Sequence, residues 1–367
     1  MQLELWVRQL SDYLENVPAQ RKIVFIDKKF ADYRLPFFLE LSRAETHITC
    51  LETGSNRIIK FCKGNIVELR YNKLDFLIKY IFVVRQEDSH IVSGNLGVNT
   101  MICLWFARSN SSKIFAWCRL TLWSERNRSL GKKFLRRLLL ARVDLVLVNG
   151  DSGRNYCQDL GAMRIETFYQ SSVSLNTVCT HMQVRIPSNP LKLLFVGRLV
   201  EIKGLKEFLE ATKDLRTSFN LTVIGDGPQF EELKNLASEQ KIAVQFLGKL
   251  SRPEILEVMM ESDALIMPSL GDEWGLVIIE AMSVGLPIVG STKAGAVEEL
   301  NRIQEIGATF DPEIPESIKE ALEKVVSWDN EKWNQYRVDN VSLIKKLEIT
   351  HEGMAKKLLN LLQTSGL

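Results

Sequence analysis

Several things are missing from this 367-residue chain, and each absence removes a class of function. No stretch approaches eighteen consecutive apolar residues, so no membrane-crossing helix is expected. None of the six cysteines (Cys50, Cys62, Cys103, Cys118, Cys157, Cys179) forms a CxxC pair. The four histidines (His47, His90, His181, His351) stand at no ligand spacing relative to them, so a metal site is not expected. No signal peptide opens the chain, which predicts reduced thiols in the cytoplasm. An excess of either charge is also lacking. The net charge is only +2, so global charge argues for neither nucleic acid nor an acidic partner, and electrostatics must act locally. There is no internal repeat beyond βα units and no low-complexity segment.

What is present suits a globular chain of two domains: 46% of residues are hydrophobic and 25% charged, enough apolar material for two cores. The N-terminal LELWVRQLSDYLEN spaces Leu3, Trp6, Leu10, Tyr13 and Val17 as a helix, expected to pack on the body of the protein, the alternative being a helix lying on a membrane. Strand-like runs then alternate with helical patterns. KIVFID (22–27), HITCL (47–51), NIVEL (65–69), SHIVS (89–93), KIFAW (113–117) and VDLVLVN (143–149) read as strands. LPFFLELSR and LDFLIKYIF read as helices between them. This rhythm predicts a parallel sheet covered on both faces. IPSNP (186–190) breaks it as a linker. It restarts with KLLFVG (192–197), FNLTVIG (219–225), VQFLG (244–248), ALIMPS (264–269) and PIVGS (287–291), with helices over 203–214, 228–240, 252–261 and 276–285. The expectation is an α/β protein of two tandem Rossmann-like domains facing across a cleft, residues 1–186 and 187–345. Residues 346–367 follow as a C-terminal helix packing back on the first domain.

Ligands of such sheets bind at the carboxyl ends of the strands, which directs attention to three loops. After KLLFVG come Arg198 and then Lys203-Gly204 at the mouth of a helix. Two cations and a helix N-terminus suit a diphosphate; the competing reading is two solvated charges in a loop. After FNLTVIG, Gly225, Gly227 and Pro228 turn tightly, either to let backbone approach a ligand or as a structural turn. The dinucleotide fingerprint G-x-G-x-x-G fails, because Phe230 stands where the third glycine belongs. After ALIMPS comes GDEWGLVIIEAMSVGLPIVGS (271–291), in which Glu280 interrupts an apolar helix. A carboxylate there needs a hydrogen-bonding partner, and vicinal sugar hydroxyls are good donors. The plainer reading is an acid favoured by the helix dipole.

Together, Arg198 with Lys203-Gly204, GDGP, Phe246-Leu247-Gly248, Pro268-Ser269, DEWGLVIIEAMSVGLPIV and Glu298 resemble the retaining family 4 nucleotide-sugar glycosyltransferases of GT-B fold. The likeness is strong over about residues 190–310. More faintly, DYRLPFFLELS (32–42) and RVDLVLVNGDSGRNYCQDLGA (142–162) resemble members that build bacterial surface polysaccharides. The resemblance implies catalytic roles for Arg198 and Lys203 on the donor diphosphate, Asp272 on the transferred sugar and Glu280 on the ribose hydroxyls. It further implies substrate contacts at Gly225, Gly227, Gly248, Leu250, Glu273, Trp274, Gly275, Leu276 and Glu298. Donor base would be read near Gly248–Leu250, and a UDP- or GDP-sugar is expected as substrate, with no cofactor and no metal. The sequence departs from the family at Asp272, where a glutamate is usual, and at Glu273, where a small residue is usual, so either acid can approach the sugar. A histidine common after the strand matching KIFAW is absent; Cys118 and Arg119 stand there.

A basic amphipathic segment, RLTLWSERNRSLGKKFLRRLLLARVD, lies between two of the strands. Arg126, Arg128, Lys132, Lys133, Arg136 and Arg137 accompany an apolar face of Phe134, Leu135, Leu138 and Leu139. The expected partner is an anionic membrane or the phosphates of a lipid-linked glycan acceptor; a helix packed on the sheet with solvated charges is the alternative. Nucleic acid is not expected, since no aromatic residues interleave with the charge. Three activities are compatible: a glycosyltransferase peripheral to the inner face of the cytoplasmic membrane, a sugar-nucleotide epimerase of the same fold, and a non-catalytic nucleotide-sugar binder.

Overall fold

The computed structural model describes residues 22–43, 47–62, 65–84, 89–94, 113–121, 125, 129–180 and 184–364. The N-terminal helix expected over 3–17 lies outside the described residues. The chain divides into two compact units, one of Met1–Trp117, Leu138–Val146 and Leu358–Leu367, the other of Cys118–Arg137 and Leu147–Lys357.

In the first unit, β1 (Lys22–Asp27), β2 (His47–Glu52), β3 (Arg57–Cys62), β4 (Asn65–Arg70), β5 (Ser89–Ser93), β6 (Ile114–Cys118) and the start of β7 (Leu145–Val148) form a sheet ordered β4-β3-β2-β1-β5-β6-β7. The central strands are apolar end to end because both faces are covered: Ile23 to Ile26 on β1 are all buried. Helix Leu35–Arg43 supplies one cover, with Phe38 edge-on to Phe25 at 4.9 Å. The sheet is not parallel throughout, as the βα rhythm led one to expect. β2, β3 and β4 form an antiparallel meander at one edge. RIIKFC is a strand that the alternation of elements hid, and only four residues, 53–56, join it to β2. A parallel crossover needs a dozen or more, so so short a connection can only reverse the chain.

The second unit contains β8 (Ile165–Thr167) and a six-stranded sheet of β9 (Leu191–Val196), β10 (Phe219–Ile224), β11 (Val244–Gly248), β12 (Ala264–Met267), β13 (Ile288–Ser291) and β14 (Gly307–Phe310). Its order is β11-β10-β9-β12-β13-β14, parallel throughout. Helices Leu205–Ala211, Phe230–Glu239, Arg252–Glu261, Leu276–Ser283 and Gly295–Ile303 make the crossovers. Local chemistry starts them where expected. Ser251 N donates to the Glu254 carboxylate at 2.7 Å, closing a capping box with Pro253 in the first turn. Leu193, Leu194 and Phe195 on β9 anchor the core on both faces. Strand order reverses between β9 and β12, and that is where doubly wound sheets open a crevice for ligands.

Candidate active site

Both loops at the reversal carry predicted residues. Beyond β9, Arg198 is exposed, and Lys203 closes a short 3-10 turn before helix Leu205–Ala211. Beyond β12, the loop to helix Leu276–Ser283 is pinned from its backbone. Asp272 N donates to Lys293 O at 3.0 Å, and Gly295 N donates to Asp272 O at 3.1 Å. With its main chain fixed, the Asp272 carboxylate forms an ion pair with Lys203 and accepts from Trp274 N at 3.3 Å. A cation and an acid 69 residues apart therefore meet at the switch point, both largely shielded from solvent.

The GDGP turn packs against the same β9 loop. A Cβ on Gly225, where φ is +139°, would lie 1.8 Å from Gly197 O, and one on Gly227 would lie 2.2 Å from Leu199 O. Glycine is thus required here for two backbones to touch, which accounts for the turn whatever it binds. Gly248 ends β11, and Leu250 packs partly buried against the core.

Glu280 is the fifth residue of helix Leu276–Ser283, whose N-cap is Gly275. Its partners come from remote parts of the chain: Ser172 Oγ donates to it at 2.8 Å, and the Arg252 guanidinium stands 3.1 Å away. Periodicity around Glu280 could not reveal either, because they lie 108 and 28 residues earlier. Burial raises its pKa, against the pull of Arg252 and Ser172. Ionised Glu280 is therefore under-compensated by its own protein, as a carboxylate awaiting further donors would be.

Trp274 is buried, stacks on Tyr169 at 5.6 Å and donates through Nε1 to Gln170 O at 2.8 Å. Its indole is core; only its backbone is available to a ligand. Glu298 is exposed on helix Gly295–Ile303. Its neighbour Glu299, which the sequence reading passed over, is buried and accepts from Asp151 N at 3.0 Å and Tyr169 Oη at 2.7 Å, with Arg302 3.3 Å away. It caps helix Asp151–Asp159 and ties that helix to Tyr169. Its only sequence signal was adjacency to Glu298. Glu273 points elsewhere than Asp272: it lines a small niche with Arg119, Thr121, Asn149, Ser152 and Glu298.

In the basic segment, Arg126 and Arg128 lie outside the described residues. Lys132, Lys133, Arg136 and Arg137 stand on helix Leu130–Leu140. Arg136 turns inward to the buried Glu125 and to Tyr156 Oη at 2.7 Å, whereas Lys132 and Arg137 are exposed. Leu139 is buried, but Leu130, Phe134 and Leu138, one turn apart in succession, are exposed. Among the described residues no helix is long and apolar enough to cross a membrane, and no cluster of three metal-ligating side chains occurs.

Comparison with known proteins decides the family. Residues 180–363 match the model of the "Glycosyl transferases group 1" family. The chain belongs to that family. Curated relatives of this group 1 chain include a glycogen synthase of Mycobacterium tuberculosis, 34% identical over 116 residues (30% of this chain, 28% of that protein). A putative colanic acid biosynthesis glycosyltransferase, WcaL of Salmonella typhimurium, is 28% identical over 172 residues (44% and 42%). The chain thus spans between 28% and 42% of the length of these two relatives. Among solved structures, sucrose-phosphate synthase from Thermosynechococcus elongatus superposes with a TM-score of 0.76 at 15% identity, covering 94% of this chain and 99% of that one. Anabaena HepE in complex with UDP-glucose gives 0.70 at 17% identity, covering 94% and 100%. The fold of this group 1 protein is therefore GT-B, two α/β domains each built on a largely parallel sheet.

Proposed function

We propose that this group 1 chain transfers a sugar from a UDP- or GDP-sugar to a glycan acceptor, with retention of configuration. The observation that carries the reading is the Lys203–Asp272 pair at the β9/β12 switch point, with Glu280 on the helix that follows. In this reading Arg198 and Lys203 hold the diphosphate. Lys203 exchanges the Asp272 carboxylate for phosphate oxygens, which frees Asp272 to meet hydroxyls of the transferred sugar. Glu280 accepts hydrogen bonds from the ribose. The amides of Gly275 and Leu276 at the helix start complete the phosphate cradle. The sugar C1–O bond breaks and the nucleoside diphosphate leaves with the bonding pair, its charge stabilised by fixed cations. The acceptor hydroxyl adds to C1 from the same face, and its proton passes to the departing phosphate oxygen.

The acceptor in this proposal is lipid-linked, and the protein works at the inner face of the cytoplasmic membrane. Support comes from helix Leu130–Leu140, which presents the exposed apolar row Leu130, Phe134 and Leu138 with Arg137 beside it, and Lys132 exposed in its first turn. The two domains in this reading are residues 1–186 and 187–345, followed by a C-terminal helical segment over 346–367. The test is transfer and binding together. Wild type should show a nucleotide-sugar-dependent rise in Tm and transfer to an acceptor, and Lys203→Ala and Glu280→Ala should each lose transfer while remaining folded. Conversion of the donor without acceptor would instead identify an epimerase, and full transfer by both variants would sink the assignment.

A further inference from the structure

The niche lined by Glu273 poses a separate chemical question, since Asn149 and Ser152 in its walls carry polar atoms that no described residue satisfies. It lies wholly within the second unit. Asn149, just beyond β7, is 4% exposed, and Ser152, in the first turn of helix Asp151–Asp159, is 7% exposed. Asn149 Oδ1 accepts from Gln170 N at 2.9 Å, which fixes the amide and leaves Nδ2 as a donor. Neither Asn149 Nδ2 nor Ser152 Oγ has a hydrogen-bond partner among the described residues. Buried donors are rarely left this way in a folded protein.

Size and charge together define what fits. The niche has a volume of about 10 Å³ for the centre of a water-sized group, room for one oxygen and not for a sugar ring. Asn149 Nδ2 can only donate, so the guest needs a lone pair. Carboxylates of Glu273, Glu298 and Glu299 line the same space, so an anion is repelled and a guest that can also donate is favoured. Asn149 Nδ2, which offers hydrogens and no lone pair, disfavours a cation. A neutral hydroxyl meets all these demands with one atom.

We propose that this niche binds a single hydroxyl of the carbohydrate substrate, which accepts from Asn149 Nδ2 and donates to Glu273, with Ser152 Oγ as its second neighbour. The assignment rests on the glycosyl-transfer reading above and extends it. Asp272 and Glu273 then divide the work that the sequence left contested: one is held by Lys203 at the switch point, the other orients the carbohydrate. The hydroxyl belongs either to the donor sugar or to the acceptor, and the experiment separates the two.

Asn149→Asp keeps the acceptor for Gln170 N and removes the donor; Ser152→Ala removes the hydroxyl without added charge. Each is titrated calorimetrically with UDP, GDP, UDP-glucose and GDP-mannose, after circular dichroism has established that it is folded. Turnover is then measured against a panel of mono- and oligosaccharides. If the donor sugar supplies the hydroxyl, both variants bind the nucleotide sugar at least about 10-fold more weakly while the matching nucleoside diphosphate binds as in wild type. If the acceptor supplies it, nucleotide-sugar binding is unchanged and kcat/KM for the acceptor falls by a similar factor. Wild-type binding and turnover in both variants overturn the assignment alone and leave the niche to a structural water. Failure of wild type to bind any of the four probes overturns the transfer reading, and this assignment with it.

Discussion

Glu280 is a carboxylate whose burial carries a measurable cost. The Glu280 pKa is raised by burial, so between the ordinary carboxylate range and that raised value the folded protein binds more protons than the unfolded chain. Stability contributed by the protonated form is then lost as pH rises through this window. Glu280→Gln is therefore expected to raise the Tm of the ligand-free protein at pH 7, by about a degree or two, and to flatten its dependence on pH above 4.5. The same variant should lose transfer by about 100-fold or more. A Tm that falls, with activity retained, would assign Glu280 to structure. Lys203→Met offers a second check: it strands the Asp272 carboxylate, so diphosphate binding should weaken by about 10-fold or more, read by titration with UDP and GDP.

At the scale of elements, Glu299 and helix Leu130–Leu140 make opposite predictions. Glu299 joins helix Asp151–Asp159 to Tyr169, and its removal orphans Asp151 N and Tyr169 Oη. Glu299→Ala should cost about 2–4 kcal/mol in urea unfolding; a change below the error of the measurement would show that the cap is dispensable. On helix Leu130–Leu140, Phe134→Ser should leave stability unchanged, because the ring is exposed. It should weaken sedimentation with vesicles containing phosphatidylglycerol, as should Lys132→Glu, whose effect on surface attraction is worth about 1 kcal/mol per cation removed. Equal sedimentation by all three proteins would refute the docking surface. Elements of this kind were unevenly legible. SHIVS, VQFLG, LPFFLELSR and the helix over 252–261 were readable to the residue, since apolar period and flanking breakers agree there. RIIKFC was not, because an antiparallel strand with a four-residue link carries no helical spacer to announce it. β14, GATF, was missed because glycine, alanine and threonine leave Phe310 as its one large apolar residue.

Across the whole molecule, the residues that could be read were those that a local pattern or a motif marks. The six-stranded sheet and its loops belong to that class, whereas Ser172, Arg252, Asn149 and Ser152 gain their meaning only from contacts far along the chain. His351 is another such residue. Burial, reinforced by the charge of Arg252, lowers its pKa to about 4 from an ordinary 6.5. Between these values the unfolded chain binds more protons, so stability falls as pH drops from 6.5 toward 4, by about 3 kcal/mol in all. Urea titrations at pH 7, 5.5 and 4.5 should show that slope in wild type and a shallower one in His351→Leu. The division of the chain also has a temporal side. The first unit draws on Leu138–Val146 and again on residues from Leu358, while the second begins at Cys118 and ends at Lys357. Neither unit has all its parts when the ribosome has passed residue 146. At about 5–20 residues per second, the missing segment follows roughly ten to forty seconds later. During that interval the sheet of the first unit waits for its last piece, with apolar surface exposed that the finished fold will cover.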